Sequence, residues 1–361
     1  MLGNNDTPFA AIGFEQAHRD GSDMAVVAVR GSFEIQKDGQ LSPAAEHAMV
    51  LIDEYEGHPH STPLVKQADL IPYKPGTDIT VLAISYPPQD GECDKGWLAG
   101  VRMEDYRYAL RVFGSRTWLR NGQTLKPGRP AAPVPIPIDY RNAWGDLAIG
   151  EQPDDPPPYN SIGVRRPPQT VSDPFPVMAN LESLHEDYGD PYETREPQGF
   201  GPMPPFWRSR QQFAGTYDEE WIKHRHPRLP QDFDYRFYQC AHPRLICEGF
   251  LQGSEEFELY NLRPNTPSLT FRLPGIQLKA DYRWLDDRRV SLRLNLDGVH
   301  IDARGDTVRV DITWRAWLPT CPQFHRIDLS AAALGDSTLA ELPFSGLHGV
   351  EGYDEMGEAI Q

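Results

Sequence analysis

"IQLKADYRWLDDRRVSLRLNLDGVHIDARGDTVRVDITW" runs from Ile276 to Trp314 and alternates apolar with polar residues almost without a break. Ile276, Leu278, Ala280, Tyr282 and Trp284 interleave with Gln277, Lys279, Asp281 and Arg283. Val290, Leu292, Leu294 and Leu296 then interleave with Ser291, Arg293 and Asn295, and Val308, Val310, Ile312 and Trp314 with Arg309, Asp311 and Thr313. A period of two sends successive side chains to opposite faces of a strand, so each run reads as a strand with one apolar face. Asp297-Gly298 is a dipeptide favoured in two-residue type I′ hairpins and would set Leu296 opposite Val299. Arg304-Gly305-Asp306 supplies a second turn. The expectation is an antiparallel meander with one wet face.

The N-terminal half repeats the habit. Val27, Val29, Phe33 and Ile35 share one face of a strand that ends at Lys37-Asp38-Gly39. "DITVLAISY" (Asp78–Tyr86) is apolar on both faces and belongs inside a sheet. Tyr106–Phe113 is a further strand, and Asn121-Gly122 a hairpin turn. Helices are few: one over Ala44–Ile52, and one over Thr216–Arg225 with Thr216 and Glu219 as a capping box and Pro227 as its stop. Lys223, His224 and Arg225 suit the negative end of that helix.

Between these regions, residues 147–200 hold ten prolines and ten acids against three arginines. Proline at this density removes backbone donors and excludes sheet interiors. Phe175, Val177, Met178, Leu181, Leu184 and Tyr188 favour an extended arm packed over the sheets rather than a solvated linker. The fold expected is therefore mainly β: two antiparallel, sandwich-like halves (1–146 and 201–330), a proline-rich acidic arm (147–200), one or two short helices and a tail (331–361).

Charge and cysteine content narrow the function. The formal net charge of −17 opposes binding of phosphate backbones through a broad basic surface. The four cysteines, Cys93, Cys240, Cys247 and Cys321, are too scattered for the framework of a small secreted domain. The N-terminus lacks a basic region followed by an apolar one, and no apolar run is long enough to span a bilayer, so the expected location is the cytoplasm.

"GFGPMPPFWRSRQQFAGTYDEEWIKHRHPRLPQDFDYRF" (Gly199–Phe237) concentrates the residues that invite chemistry. A metal reading would draw on His224, His226, Cys240, His242 and Cys247, with His58 and His60 elsewhere, but the close paired spacing of zinc ligands is missing. A glycosidase reading would use two of Asp218, Glu220, Asp232 and Asp234 beside Trp207, Tyr217 and Trp221. Phosphate-binding, nucleophile-elbow and dinucleotide motifs are absent, and "KPGT" (Lys74–Thr77) reads as a Pro-Gly turn. No cofactor is expected.

Several stretches in fixed order resemble a known family. "NNDTPF" (Asn4–Phe9), "VVAVRGSFEI" (Val26–Ile35), "DLIPYKPGTDITVLA" (Asp69–Ala83), "VFGSRTW" (Val112–Trp118), "IPIDYRNAWGD" (Ile136–Asp146) and "ANLES" (Ala179–Ser183) lead to the Gly199–Phe237 stretch. Together they resemble the bacterial domain-of-unknown-function adaptors encoded in type VI secretion clusters. Departures are Asp146 for the second glycine of a pair, Ala179 for a proline, and Arg30-Gly31 for Lys-Ala. The resemblance implies a non-enzymatic adaptor or chaperone whose partners are an effector, through its PAAR-type tip region, and the VgrG spike. It supplies no catalytic residue. The residues themselves offer two readings of the stretch: a seam between the sheets, or a partner surface built on Phe206, Trp207, Arg208, Tyr217, Asp218 and Trp221, types enriched both in cores and at hot spots. Arg208 and Arg210 are expected to pair with nearby acids. An exposed sheet edge offers a second docking mode by strand addition. A carbohydrate-active enzyme and a structural part of the secretion apparatus are the alternatives.

Overall fold

A computed structural model of the chain describes residues 1–89, 95–122, 124–146, 157–165, 167, 176–186, 188–190, 192–320, 323–333 and 342–343. Phe175, Cys93, Cys321 and most of the 331–361 tail lie outside the described residues.

The protein is mainly β, as its alternation dictates, with two short helices among the described residues, Arg208–Gln211 and Glu219–His224. A central sheet orders its strands Ile246–Glu248, Gly76–Leu82, Asn295–Asp302, Arg309–Pro319, Asp23–Ile35 and Ala10–Ala17, with Leu41–Pro43 paired to Asp23–Ile35. A five-stranded sheet runs Leu181–Ser183, Tyr106–Val112, Trp97–Met103, Glu256–Arg263, Thr266–Arg272. A four-stranded sheet runs Leu2–Asp6, Phe324–Ala333, Ile276–Trp284, Arg289–Arg293. Each of these three sheets draws strands from both halves of the sequence, so the two expected halves do not correspond to separate large sheets. One central pairing, Asn295–Asp302 on Gly76–Leu82, is parallel.

The meander is broken at its expected turn. Asp297-Gly298 is no hairpin: the strand Asn295–Asp302 runs through it, with a bulge between Leu296 and Gly298 opposite Trp314 and Thr313. The chain leaves the four-stranded sheet at Arg293 and enters the central one at Asn295. The cause is non-local, because the Asp297 carboxylate pairs with the buried guanidinium of Arg315 on the next strand. The turn at Arg304–Asp306 does join two paired strands. Ala44–Ile52 is irregular rather than helical, and two of its amides are held from outside, Ala44 by the Ser32 carbonyl and Val50 by Asp69 Oδ2.

One face of the central sheet carries Val27, Val29, Phe33, Ile79, Val81, Val299, Ile301, Val310, Ile312 and Trp314, and packs on both other sheets in a single apolar core. The opposite face is polar, as alternation predicts, but it is not wet. Arg30, Asp78, Thr80, Asp311, Thr313 and Arg315 are all buried there. Residues 44–74 and 199–250 roof this face, and at one end Tyr73, Phe233 and Tyr235 close over Met24, Val26 and Trp317.

The proline-rich arm packs against the body in its described parts. Leu181–Ser183 adds to the edge strand Tyr106–Val112, and Arg116 reaches Glu182 at 2.6 Å. Asp146 accepts the amides of Tyr159 and Asn160, so the acid at this position anchors the arm where it resumes.

Candidate partner-binding site

The roof begins by threading over the end of Gly76–Leu82, where the Phe200 carbonyl accepts the Val81 amide. Gly199 lies so close to the Tyr140 ring that a Cβ would fall 2.8 Å from it. Beyond it Trp207 is fully buried, edge-on to Tyr140 at 5.0 Å and packed with Met203. Phe206 is half-buried against His60, 4.6 Å between ring centres. Arg208 lies over Tyr159 at 4.2 Å and donates to the Pro157 carbonyl; Arg210, buried, donates to the Phe237 and Met203 carbonyls. These arginines therefore hold backbone carbonyls, not the acids expected, because the prolines around them leave carbonyls without ladder partners. Phe206, Trp207 and Arg208 form a seam.

The second part of the stretch projects. Asp218, not Thr216, caps the helix Glu219–His224 by accepting the Trp221 amide at 2.8 Å. Thr216 is held instead by Asp232, through both its amide (3.0 Å) and its hydroxyl (2.7 Å). Asp234 caps the turn Tyr235–Tyr238 and pairs with Arg236 at 2.6 Å. Glu220 faces His224 Nε2 at 3.3 Å, so all four acids considered for glycoside cleavage have partners in local structure. Trp221 Nε1 donates to the Arg228 carbonyl at 2.8 Å, and Arg225 donates to the Leu229 and Arg19 carbonyls. The element is thereby locked, yet it leaves Tyr217 53% and Ile222 62% exposed. Tyr217 stands edge-on to Trp221 at 4.7 Å. A groove of about 500 Å³ runs beside them, lined by Asp218, Trp221, His224, Pro230 and Asp232 among others.

Beneath the roof lies a cluster the sequence reading missed. Lys74 Nζ meets Asp78 Oδ2 at 2.7 Å, and the same oxygen accepts the Cys240 amide at 2.8 Å. Arg30 bridges Asp69 (3.0 Å) and Asp311 (2.9 Å), Lys66 also reaches Asp311 (2.8 Å), and Arg315 holds Asp297. Burial alone would depress the Lys74 ammonium, but Asp78 beside it holds it above its ordinary value. Burial raises Asp297 despite Arg315, and Asp311 stays well below the usual carboxylate range against its own burial because Arg30 and Lys66 flank it. Burial pushes His300 and His242 down to about 3, so both imidazoles are neutral. His242 stacks on Tyr108 at 4.4 Å. The available signal was the "DLIPYKPGTD" stretch itself: Asp69, Lys74, Thr77 and Asp78 all bind here, and Lys74 leads into a strand rather than a Pro-Gly turn. The cavity among these residues is only about 40 Å³, room for a few waters. Among the described residues no group of three or more His, Cys, Asp or Glu is placed to hold a metal ion. Cys240 and Cys247 are buried thiols, both pushed up to about 12 by burial.

Fold and site together define a mainly β protein whose central sheet is roofed on its polar face, with a projecting helical element that leaves Tyr217 and Ile222 exposed. A family model described as "Uncharacterized protein conserved in bacteria (DUF2169)" matches residues 20–315, and the chain belongs to that family. No curated protein and no solved structure matches the chain. No helix among the described residues is long and apolar enough to cross a membrane.

Proposed function

We propose that this protein is an adaptor or chaperone of a type VI secretion system, which holds an effector through its PAAR-type tip region and assists its loading onto the VgrG spike from the cytoplasm. The reading rests on the resemblance of motifs in order along the chain, and the observation that carries it structurally is the projecting element Thr216–Asp232. Its backbone is fixed by Asp218, Asp232, Arg225 and Trp221, while Tyr217 and Ile222 face solvent. An apolar face that is already ordered loses little entropy on meeting a partner, which favours its use as a binding surface. Tyrosine and tryptophan there are residue types enriched at hot spots.

The test is co-purification. Expressed with a neighbouring effector gene, the protein should retain that effector's N-terminal region at defined stoichiometry and raise its soluble yield. Deleting the adaptor should abolish delivery of that effector while sheath contraction persists. Recovery with spike or baseplate alone, whether or not an effector is present, would instead mark a structural component of the apparatus.

A further inference from the structure

The charge cluster beneath the roof is balanced in charge but unfinished in hydrogen bonding. Asp78 has Lys74 beside it, Asp297 has Arg315, and Asp69 and Asp311 have Arg30 and Lys66 between them. Cations and carboxylates are thus equal in number. Yet Asp78 Oδ1, Asp297 Oδ1, Gln67 Oε1, Arg315 Nε and His300 Nε2 are all buried with no partner in the protein. The side chains at the centre of the cluster are sealed, Asp78, Asp297 and Arg315 being 2%, 1% and 3% exposed. Folded proteins rarely leave buried donors and acceptors unpaired, because each has lost its bonds to bulk solvent. The Cys240 thiol also faces Asp78, but a thiol is a weak donor. The Lys74 ammonium carries three N–H groups and has Asp78 as its ion-pair partner, so it has donors to spare.

The residues that carry these atoms line one cavity of about 40 Å³. Asp78, Asp297, His300 and Arg315 reach it from three neighbouring strands of the central sheet, and Gln67 reaches it from the roof. The chemistry of the lining selects the occupant. A cation would suit the Asp and Gln oxygens but not the Arg315 N–H among them, and an anion would suit Arg315 and Lys74 but not the two carboxylates. Neither is needed for neutrality. Water both donates and accepts, and it serves His300 Nε2 in either tautomer, whichever way Thr80 Oγ1 bonds Nδ1 at 2.9 Å. Each water needs about 10–15 Å³ of such space, so about three fit. We propose that this cavity is a water site built into the fold, whose small cluster of waters joins Asp78 Oδ1 and Asp297 Oδ1 to Arg315 Nε and Lys74 Nζ, and the sheet to the roof through Gln67 Oε1. A water that donates one proton to each carboxylate lets the two acids share one space, and it makes a single hydrogen-bonded unit of two separate ion pairs. The roof then meets the sheet through water as well as through direct contacts.

A crystal structure of the full chain at a resolution that orders solvent, repeated on crystals soaked in rubidium and in bromide salts, tests this. The expected result is water density in the cavity, each peak within about 2.7–3.2 Å of at least two of the atoms named, and no anomalous signal there from either ion. In solution, ¹⁵N-labelled protein should show water cross-peaks of opposite sign in NOE and ROE spectra at the Arg315 Nε–H resonance, the signature of water held longer than surface hydration. A cavity closed by direct contacts among these side chains, with no water density, would overturn the proposal. So would an Arg315 Nε–H resonance without a water cross-peak. A rubidium peak on Asp78 and Asp297, or a bromide peak on Arg315 and Lys74, would overturn it by making this an ion site.

Discussion

Trp207 and Trp221 belong to one motif-rich stretch and have opposite surroundings. Trp207 is sealed between Tyr140 and Met203, and the segment around it roofs a buried charge cluster. Trp221 sits on a short helix whose neighbours Tyr217 and Ile222 are exposed. The residue types are the same, and the difference lies in what stands above them: the arm and Tyr140 in the first case, solvent in the second. Composition alone therefore could not divide seam from surface, whereas the order of folding constraints does. The first segment closes over the sheet, and the second leaves Tyr217 and Ile222 exposed.

The sharpest way to break that division is to attack the part beneath the roof. Asp78→Ala should destabilise the protein by about 3–5 kcal/mol, because it strands a buried Lys74 ammonium. Urea denaturation measures it, and Lys74→Met/Asp78→Asn should recover most of the loss, since no charge is left uncompensated and the Asn oxygen can still accept the Cys240 amide. If the single variant were neutral, the roof would be looser than its hydrogen bonds indicate. Trp207→Ala belongs to the same class, at about 3–5 kcal/mol.

A pH titration sharpens the same point with no change of packing. His242 and His300 are held at about 3 in the folded protein against 6.5 ordinarily. The unfolded chain therefore binds protons first on acidification. The stability due to keeping them neutral is complete above pH 6.5 and declines as pH falls toward 3. The slope is about 1.4 kcal/mol per pH unit for each histidine. Denaturation midpoints between pH 6.5 and 4.5 should show this, and His300→Asn should remove roughly half of the slope in that range. An unchanged slope would place His300 in contact with solvent.

These buried groups also mark how far the sequence could be read. Periodicity located the strands Ile276–Trp284, Asp23–Ile35 and Tyr106–Val112 because a period of two is local information. It misplaced the hairpin at Asp297-Gly298, where an ion pair to Arg315 outweighs the turn preference of the dipeptide. It also read Asp311 and Thr313 as facing water, since a polar face looks the same whether solvent or a proline-rich roof covers it. The helix around Trp221 was legible through its basic last turn and Pro227. Its cap was not, because Thr216 and Asp218 are both good caps and only the distant Asp232 claims the first. The partner surface was named as six residues, of which the fold buries or half-buries Phe206, Trp207 and Arg208 and sets Tyr217, Asp218 and Trp221 on the projecting element.

Asp218→Ala tests whether that element is pre-ordered. Loss of the cap should cost about 1 kcal/mol and fray Glu219–His224, leaving the sheets intact. Under the adaptor reading it should also weaken effector retention beyond its effect on stability, since the partner must then order the helix itself. Asp218→Asn, which keeps the cap, should behave like the parent. Equal loss of retention in both variants would point to the carboxylate as a direct contact rather than a cap.

The smallest expected change in stability belongs to Ile222→Asp, and it separates the two regions most cleanly. Ile222 contributes no core contact at 62% exposure, so the substitution should move stability by no more than about 0.5 kcal/mol. It nevertheless puts a charge at an exposed apolar position of the projecting helix, where a docked partner would have to desolvate it. Retention of the effector's N-terminal region should drop by tenfold or more, corresponding to about 1.4 kcal/mol. Trp207→Ala, compared at a temperature where both proteins are folded, should show the reverse pattern: a large stability loss with little change in retention per folded molecule. If Ile222→Asp kept full retention while Trp207→Ala abolished it, the binding surface would lie along the seam and the projecting helix would serve some other contact.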